Sequence, residues 1–254
     1  MAYKRSGYAK KASASRQKAA RAMQRRMYRS AASTRVALRA TRIMGATSRG
    51  RPELKSVDTV QGAAAVTQAL NSTGTLTAVN LIRSGAGFNN RIGRRIEMKS
   101  LHLTGYVTQT GTATTTTDLG RIMVVYDRQP NGALPTINNI LLQYDQQGNT
   151  YTTPLSGINP DQRERYMVLM DERIVLPAVT VGGVTGSVDG VTKTFNINRF
   201  ISLVGLKTQY SGESNPAAIG DISTGALYVL TLGGIAAPSG WAFIASWRLR
   251  YNDA

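Results

Sequence analysis

No acidic residue precedes Glu53. Residues 1–51 carry 15 of the chain's 31 Lys and Arg and none of its 14 Asp and Glu. A segment charged with one sign repels itself, and this one has little large apolar content to offset chain entropy. It cannot join a core, so the fold must be built from the residues beyond it. There 16 basic residues stand against 14 acidic ones, a net charge near +2. The sequence thus divides into a basic arm, residues 1–55, and a nearly neutral body, residues 56–254.

The body reads as strands. "LGRIMVVYD" (119–127) is a continuous apolar run, which suits a strand buried on both faces. "RRIEMKSLHLTGYVTQT" alternates through Ile96 and Met98, then Leu101 and Leu103. "RYMVLMDERIVLPAV" is one long strand or two, and "VTKTFNINRFISLVGLKTQY" alternates at Phe195 and Ile197. "GALYVLTLGG" and "WAFIASWRLRYND" close the chain. The turn clusters "GTATTTTDLG", "RQPNGALP", "GGVTGSVDG", "SGESNPAAIGD" and "GGIAAPSG" separate these segments. In "RQPNGALP", Asn131-Gly132 favours a turn with positive φ. "TINNILLQYD" is the one short helix expected, while residues 57–82 give only weak strand and loop signals. The pattern predicts about eight strands in an all-β sandwich or barrel. Ile222 to Trp247 is uncharged and long enough to span a bilayer, but Gly233, Gly234, Pro238 and Gly240 interrupt it. Two strands joined as a hairpin are the expectation there, and no membrane insertion.

The arm suggests a polyanion partner. Its Ala and Arg favour helix, and Arg21, Arg25 and Arg29 would form one stripe. It is expected to be disordered alone and partly helical once its charge is neutralised. Arg and Lys bind phosphates by releasing condensed counterions, with strong salt dependence and little sequence preference. Tyr3, Tyr8 and Tyr28 could stack on unpaired bases. Residues 1–35 contain no Leu, Phe or Trp, which argues against a membrane anchor. No apolar stretch comes after the basic N-terminus, so a secretory leader is not expected.

Catalytic chemistry finds little support. Cysteine is absent and His102 is the single histidine, so no zinc site or histidine-based triad can be assembled. Asp171 with Glu172 and Asp161 with Glu164 are the carboxylate pairs that a Mg²⁺-dependent nuclease would need. Arg163, Arg165 and Arg173 flank them, which favours surface ion pairing. "GAGFNN" lacks the strand–helix setting of a dinucleotide site. No enzyme activity, cofactor or metal is expected.

Four segments, in order, carry a resemblance. "NNRIGRRIEMKSLHLTGYV" (89–107) resembles the first jelly-roll strand in capsid proteins of circular single-stranded DNA viruses that encode a replication initiator. "VVYDRQPNGALPTINNILL" (124–142) resembles the strand and loop of geminivirus-type coats that carry an aspartate–arginine, a proline and a glycine. "RYMVLMDERIVL" and the ending "WRLRYNDA" resemble later strands of the family. The same stretches are similar to the coat protein of satellite tobacco necrosis virus, an RNA-packaging relative in fold. The Cys/His region of geminivirus coats has no counterpart here.

The resemblance implies an eight-stranded jelly-roll sandwich that assembles into a small icosahedral shell of about sixty copies. It implies a single-stranded genome as partner, DNA rather than RNA, held by the arms inside the virion. On it, Lys4, Arg5, Lys10, Lys11, Arg16, Lys18, Arg21, Arg25, Arg26, Arg29, Arg35, Arg39 and Arg42 bind phosphate. Arg91, Arg94 and Arg95 would continue the basic surface or form ion pairs between subunits. The arm would also engage host nuclear import receptors. The other classes in view are a monomeric or small-oligomer nucleic-acid-binding module with a β body, and a nuclease.

Overall fold

The computed structural model describes residues 54–58, 66–109, 117–143, 147–148, 151–178, 194–236 and 240–253. Residues 1–53 of the arm, with the expected helical stripe, and the turn cluster at 182–190 lie outside the described residues, while Leu54 and Lys55, counted with the arm, belong to the first strand of the body. Two antiparallel sheets account for most of the rest. Their strands are β1 (Leu54–Asp58), β2 (Val66–Ala69), β3 (Thr75–Ala78), β4 (Arg95–Gln109), β5 (Asp118–Asp127) and β6 (Tyr166–Leu176). They continue with β7 (Phe195–Ser202), β8 (Lys207–Tyr210), β9 (Ile222–Thr224), β10 (Ala226–Leu232) and β11 (Trp241–Asp253). One sheet runs β1-β11-β4-β8-β9, with β2 also on β11 and β7 also on β4. The other runs β3-β10-β5-β6.

The all-β sandwich is as the sequence predicts, but the described strands number eleven, not eight. The excess comes from short strands that share a long neighbour. β1 pairs with Arg248–Asn252 of β11 and β2 with Ala242–Ala245 of the same strand. Along β4, β7 pairs with the stretch from Ser100 to Val107 and β8 with that from Arg95 to Glu97. Pieces of three to five residues carry too little alternation to be seen from sequence. For the same reason the segment at 95–109, read as a first strand, is the fourth in chain order.

The core lies between the sheets. Ile96, Met98, Leu101, Leu103 and Val107 of β4 face Ile122, Val124 and Tyr126 of β5, with Phe243, Trp247 and Leu249 of β11 among them. The alternation of β4 changes phase between Met98 and Leu101. There the register with β11 shifts, leaving Lys99 as the extra residue of a bulge. A buried asparagine ties the sheets together. Asn80 donates to Thr208 Oγ1 at 2.8 Å and to the Gly225 carbonyl at 2.9 Å, and accepts from the Leu227 amide at 2.9 Å. Gly225 has φ +76°, and a Cβ there would collide with the Lys207 carbonyl.

A second, smaller core covers the outer face of the four-stranded sheet. Met123 and Val125 of β5 and Leu230 and Leu232 of β10 pack under Ile137 and Ile140 of the helix α1 (Ile137–Ile140). β5 and β10 are therefore buried on both faces, as the unbroken apolar run predicts. Gly132 has φ +82° in the turn that its sequence favours.

The hairpin expected over 222–247 is not formed. β10 lies in the four-stranded sheet and β11 in the seven-stranded one, so the connection crosses between sheets. A Gly- and Pro-rich link permits either path, and pairing with distant strands decides it. No described helix is long and apolar enough to cross a membrane.

Candidate nucleic-acid interface

The body begins at one corner of the seven-stranded sheet. Leu54 pairs with Asn252, Asn252 with Glu97, and Glu97 with Lys207. With neighbouring strands about 4.8 Å apart, this row spans roughly 15 Å.

Arg94 and Arg95 stand at that corner and both are exposed. The Arg94 carbonyl accepts from the Tyr210 amide at 2.7 Å, which holds the backbone in place and leaves the side chain out. Among the described residues neither arginine is in an ion pair. Lys207 is exposed on the same row, and Lys99 reaches Glu97 at 2.9 Å. That hydrogen bond, with the charges of Lys99, Lys207 and Arg95 adding to it, holds the Glu97 carboxyl below its usual range against the opposing effect of desolvation.

Arg91 does not belong to this surface. It is 1% exposed, and its guanidinium donates to the carbonyls of Ile82 (3.1 Å), Gly93 (2.9 Å) and Gly212 (2.6 Å). Its Cζ lies 4.2 Å from the centre of the Tyr210 ring. A cation so enclosed, with three of its five N–H groups on backbone carbonyls, presents almost no surface to a phosphate. It is instead the post on which the 83–93 loop is built, with Lys55 bonded to Asp253 at 2.7 Å and to the Asn90 carbonyl at 3.1 Å.

The thirteen arm residues expected to bind phosphate lie outside the described residues. Sequence reasoning missed Lys207 and Arg250, both exposed on the seven-stranded sheet. The alternation in "WRLRYND" carries the signal for Arg250, because Trp247, Leu249 and Tyr251 are buried and place Arg248 and Arg250 outward.

The Asp171–Glu172 pair is taken apart by the fold. Asp171 and Glu172 are adjacent on a strand and bind arginines on different elements. Asp171 receives two bonds from Arg121, at 2.8 and 2.7 Å, and Glu172 two from Arg199, both 2.9 Å. The ion-pairing expectation holds for Asp171 and Glu172, though not with the flanking arginines, whereas Asp161 and Glu164 are exposed and in no ion pair among the described residues. Arg165 goes to Asp127 at 2.9 Å. His102 is exposed on β4 and lies 2.7 Å from Asn198 Oδ1. No group of three or more metal-ligating side chains occurs among the described residues.

The chain is similar in sequence to known viral coat proteins. A curated relative, the capsid protein of Mungbean yellow mosaic virus (strain Vigna), is 25% identical over 136 residues, 52% of this chain and 49% of that protein. The match thus spans about half the length of that relative. Two solved structures, of infectious bursal disease virus Gt strain and of the infectious bursal disease virus VP2 subviral particle, align at 10% and 9% identity. They cover 79% and 80% of this chain and 32% and 33% of theirs, with TM-scores of 0.26 and 0.25, too low to bear on the fold. The model of the geminivirus coat protein/nuclear export factor BR1 family matches residues 2–253, and the chain belongs to that family.

Proposed function

We propose that this chain is the structural subunit of a small closed viral shell and packages a single-stranded genome with its basic arm. The observation that carries the reading is the partition of charge. Fifteen cations and no carboxylate lie in residues 1–51, ahead of a nearly neutral body in a coat-protein family. Assembled as about sixty copies, the arms would bring about 900 positive charges inside, enough for on the order of a thousand phosphates. Arms held in one shell act together, so each contact can be weak.

The body is read as a jelly roll. In its support, the chain alternates between the sheets: β3 in the four-stranded sheet, β4 in the other, then β5 and β6, β7 to β9, β10 and β11 in turn. Greek-key jelly rolls interleave their sheets in this way. Phosphate contacts are assigned to the arm residues from Lys4 to Arg42, with Arg94 and Arg95 continuing them onto the body. The arm serves nuclear import as well, so the protein works in the host nucleus during assembly and in the virion afterwards. No catalytic role is assigned.

Light scattering and negative-stain microscopy of the purified chain test the reading. Closed particles are expected; a stable monomer at physiological salt, with and without nucleic acid, would establish the monomeric binding module instead. Removal of residues 1–51 should leave a folded body that no longer packages nucleic acid. Particles of the truncated chain that still hold full-length genome would refute the arm's role. Mg²⁺-dependent release of nucleotides, lost in Asp171→Ala, would revive the nuclease.

A further inference from the structure

The seven-stranded sheet presents an outer face whose composition is unlike that of an ordinary solvated sheet. Across it, Asp58 stands opposite Arg248, Arg248 opposite His102, and His102 opposite Phe200. Two rows on along the same face, past Ser246, Thr104 and Asn198, Ile244 stands opposite Tyr106 and Tyr106 opposite Asn196. Phe200 is 67% exposed and Tyr106 41%. Among the described residues neither ring stacks on another aromatic. Between and beside them lie Thr104, Asn198 and Ser246, which offer amides and hydroxyls without charge. The one carboxylate among these rows, Asp58, is taken by Arg248 at 2.7 Å, while Arg250 is exposed beyond it.

Rings open to water, polar uncharged neighbours and an uncompensated cation, Arg250, suit unpaired bases and their phosphates. We propose that this face binds single-stranded nucleic acid by stacking bases on Tyr106 and Phe200, with Arg250 on the backbone and Asn198 at base edges. The two rings are separated by four residues along the strands, about 14 Å, so they would take different bases. A duplex keeps its bases stacked on one another and offers neither ring a face. The proposal rests on the packaging reading and divides the work within it. The arm responds to charge, whereas the sheet distinguishes a single strand from a duplex.

The test measures affinity of the full chain for a labelled oligothymidine and for a duplex of the same length, over a range of salt. Tyr106→Ala with Phe200→Ala should weaken the single strand about tenfold or more and leave the duplex unchanged. The slope of affinity against salt should stay the same, since stacking releases no counterions. Arg25→Gln with Arg29→Gln in the arm should lower that slope for both ligands. Tyr106→Trp with Phe200→Trp should restore single-strand binding. Photo-cross-linking of iododeoxyuridine oligonucleotides should mark the peptides holding Tyr106 and Phe200. Equal weakening of both ligands by the alanine pair, or none, overturns the inference while leaving packaging intact. So does a change in particle mass without a change in affinity, which would make the face a contact between copies. A wild-type chain that binds neither ligand would overturn the packaging reading with it.

Discussion

The two sheets have opposite outer faces. That of the four-stranded sheet is roofed: α1 lies on Met123 and Val125, and Arg121 and Arg165 are bound within the chain, although Arg173 beside Arg121 is exposed. Arg121 is 1% exposed and divides its donors between Asp171 and the carbonyls of Pro154 and Ser156. Arg165 grips Asp127, a carboxylate with no exposure, and stacks on Tyr166 at 4.8 Å. That of the seven-stranded sheet is open, with Arg248, Arg250, Phe200 and Tyr106 at the surface. Arginine serves opposite purposes on the two. On the roofed face it fastens the β5–β6 connection to the sheet, and its charge is consumed within the chain. On the open face Arg250 keeps its charge available.

The largest effect should come from Arg121→Met. It leaves the carbonyls of Pro154 and Ser156 and the Asp171 carboxylate without their donor. Because the Asp171 side chain is 30% exposed, the loss should fall at the low end of that for a buried pair, about 3 kcal/mol. Urea unfolding of the assembled or dissociated subunit should show it, and Arg250→Met in parallel should stay within about 0.5 kcal/mol. Similar losses from the two would mean that the faces do not use arginine differently.

Next comes Ile140→Ala, which empties part of the smaller core beneath α1. Ile140 has no exposure, so a loss of about 2–4 kcal/mol is expected. Phe200→Ala on the open face should cost little stability, because most of its ring is already in water. The contrast between the two sharpens the comparison without touching a charge.

Acid should loosen the Arg121–Asp171 link of the roofed face. The hydrogen bonds from Arg121 hold the Asp171 carboxyl below its usual range, outweighing the opposing effect of burial, with the charges of Arg121 and Arg173 adding to them. A lowered carboxyl contributes its full stabilisation above the unfolded value, near 3.8, and loses it as pH falls through the lower folded value. The urea midpoint of the wild-type chain should therefore drop below about pH 4, and Asp171→Asn should flatten that drop. An unchanged acid limb in the variant would show that Arg121 is held by the carbonyls alone.

The roofed face was partly legible in the sequence and the open face was not. The unbroken run at 119–127 announces a strand buried on both sides, and β5 is one. Ile96, Met98, Leu101 and Leu103 also alternate into the core, with the bulge visible as a change of phase. What the residues could not show is pairing across long separations. His102 and Phe200 are neighbours only because β4 and β7 pair, almost a hundred residues apart. Arg91 looked like Arg94 and Arg95 because a sequence gives the charge and not where it points. Its burial depends on carbonyls from Ile82 and Gly212 that only the fold brings together. The link at 233–240 has the composition of a hairpin turn, yet it joins two sheets because β10 and β11 each find longer partners elsewhere.

The smallest effect should belong to Arg248→Gln. Arg248 and Asp58 form a two-bond pair at 2.8 and 2.7 Å, as good in geometry as that of Arg121 and Asp171. Their side chains are 47% and 35% exposed, so water and salt compete for both charges. A pair of this kind contributes about 0.5 kcal/mol or less. The expectation is a shift in the urea midpoint barely above error, fading further as salt is raised. A loss approaching that of Arg121→Met would mean that the face is covered in the state being measured. The pair would then be shielded from water by another copy or by bound nucleic acid, and repeating the measurement on nuclease-treated, dissociated subunits would separate the two.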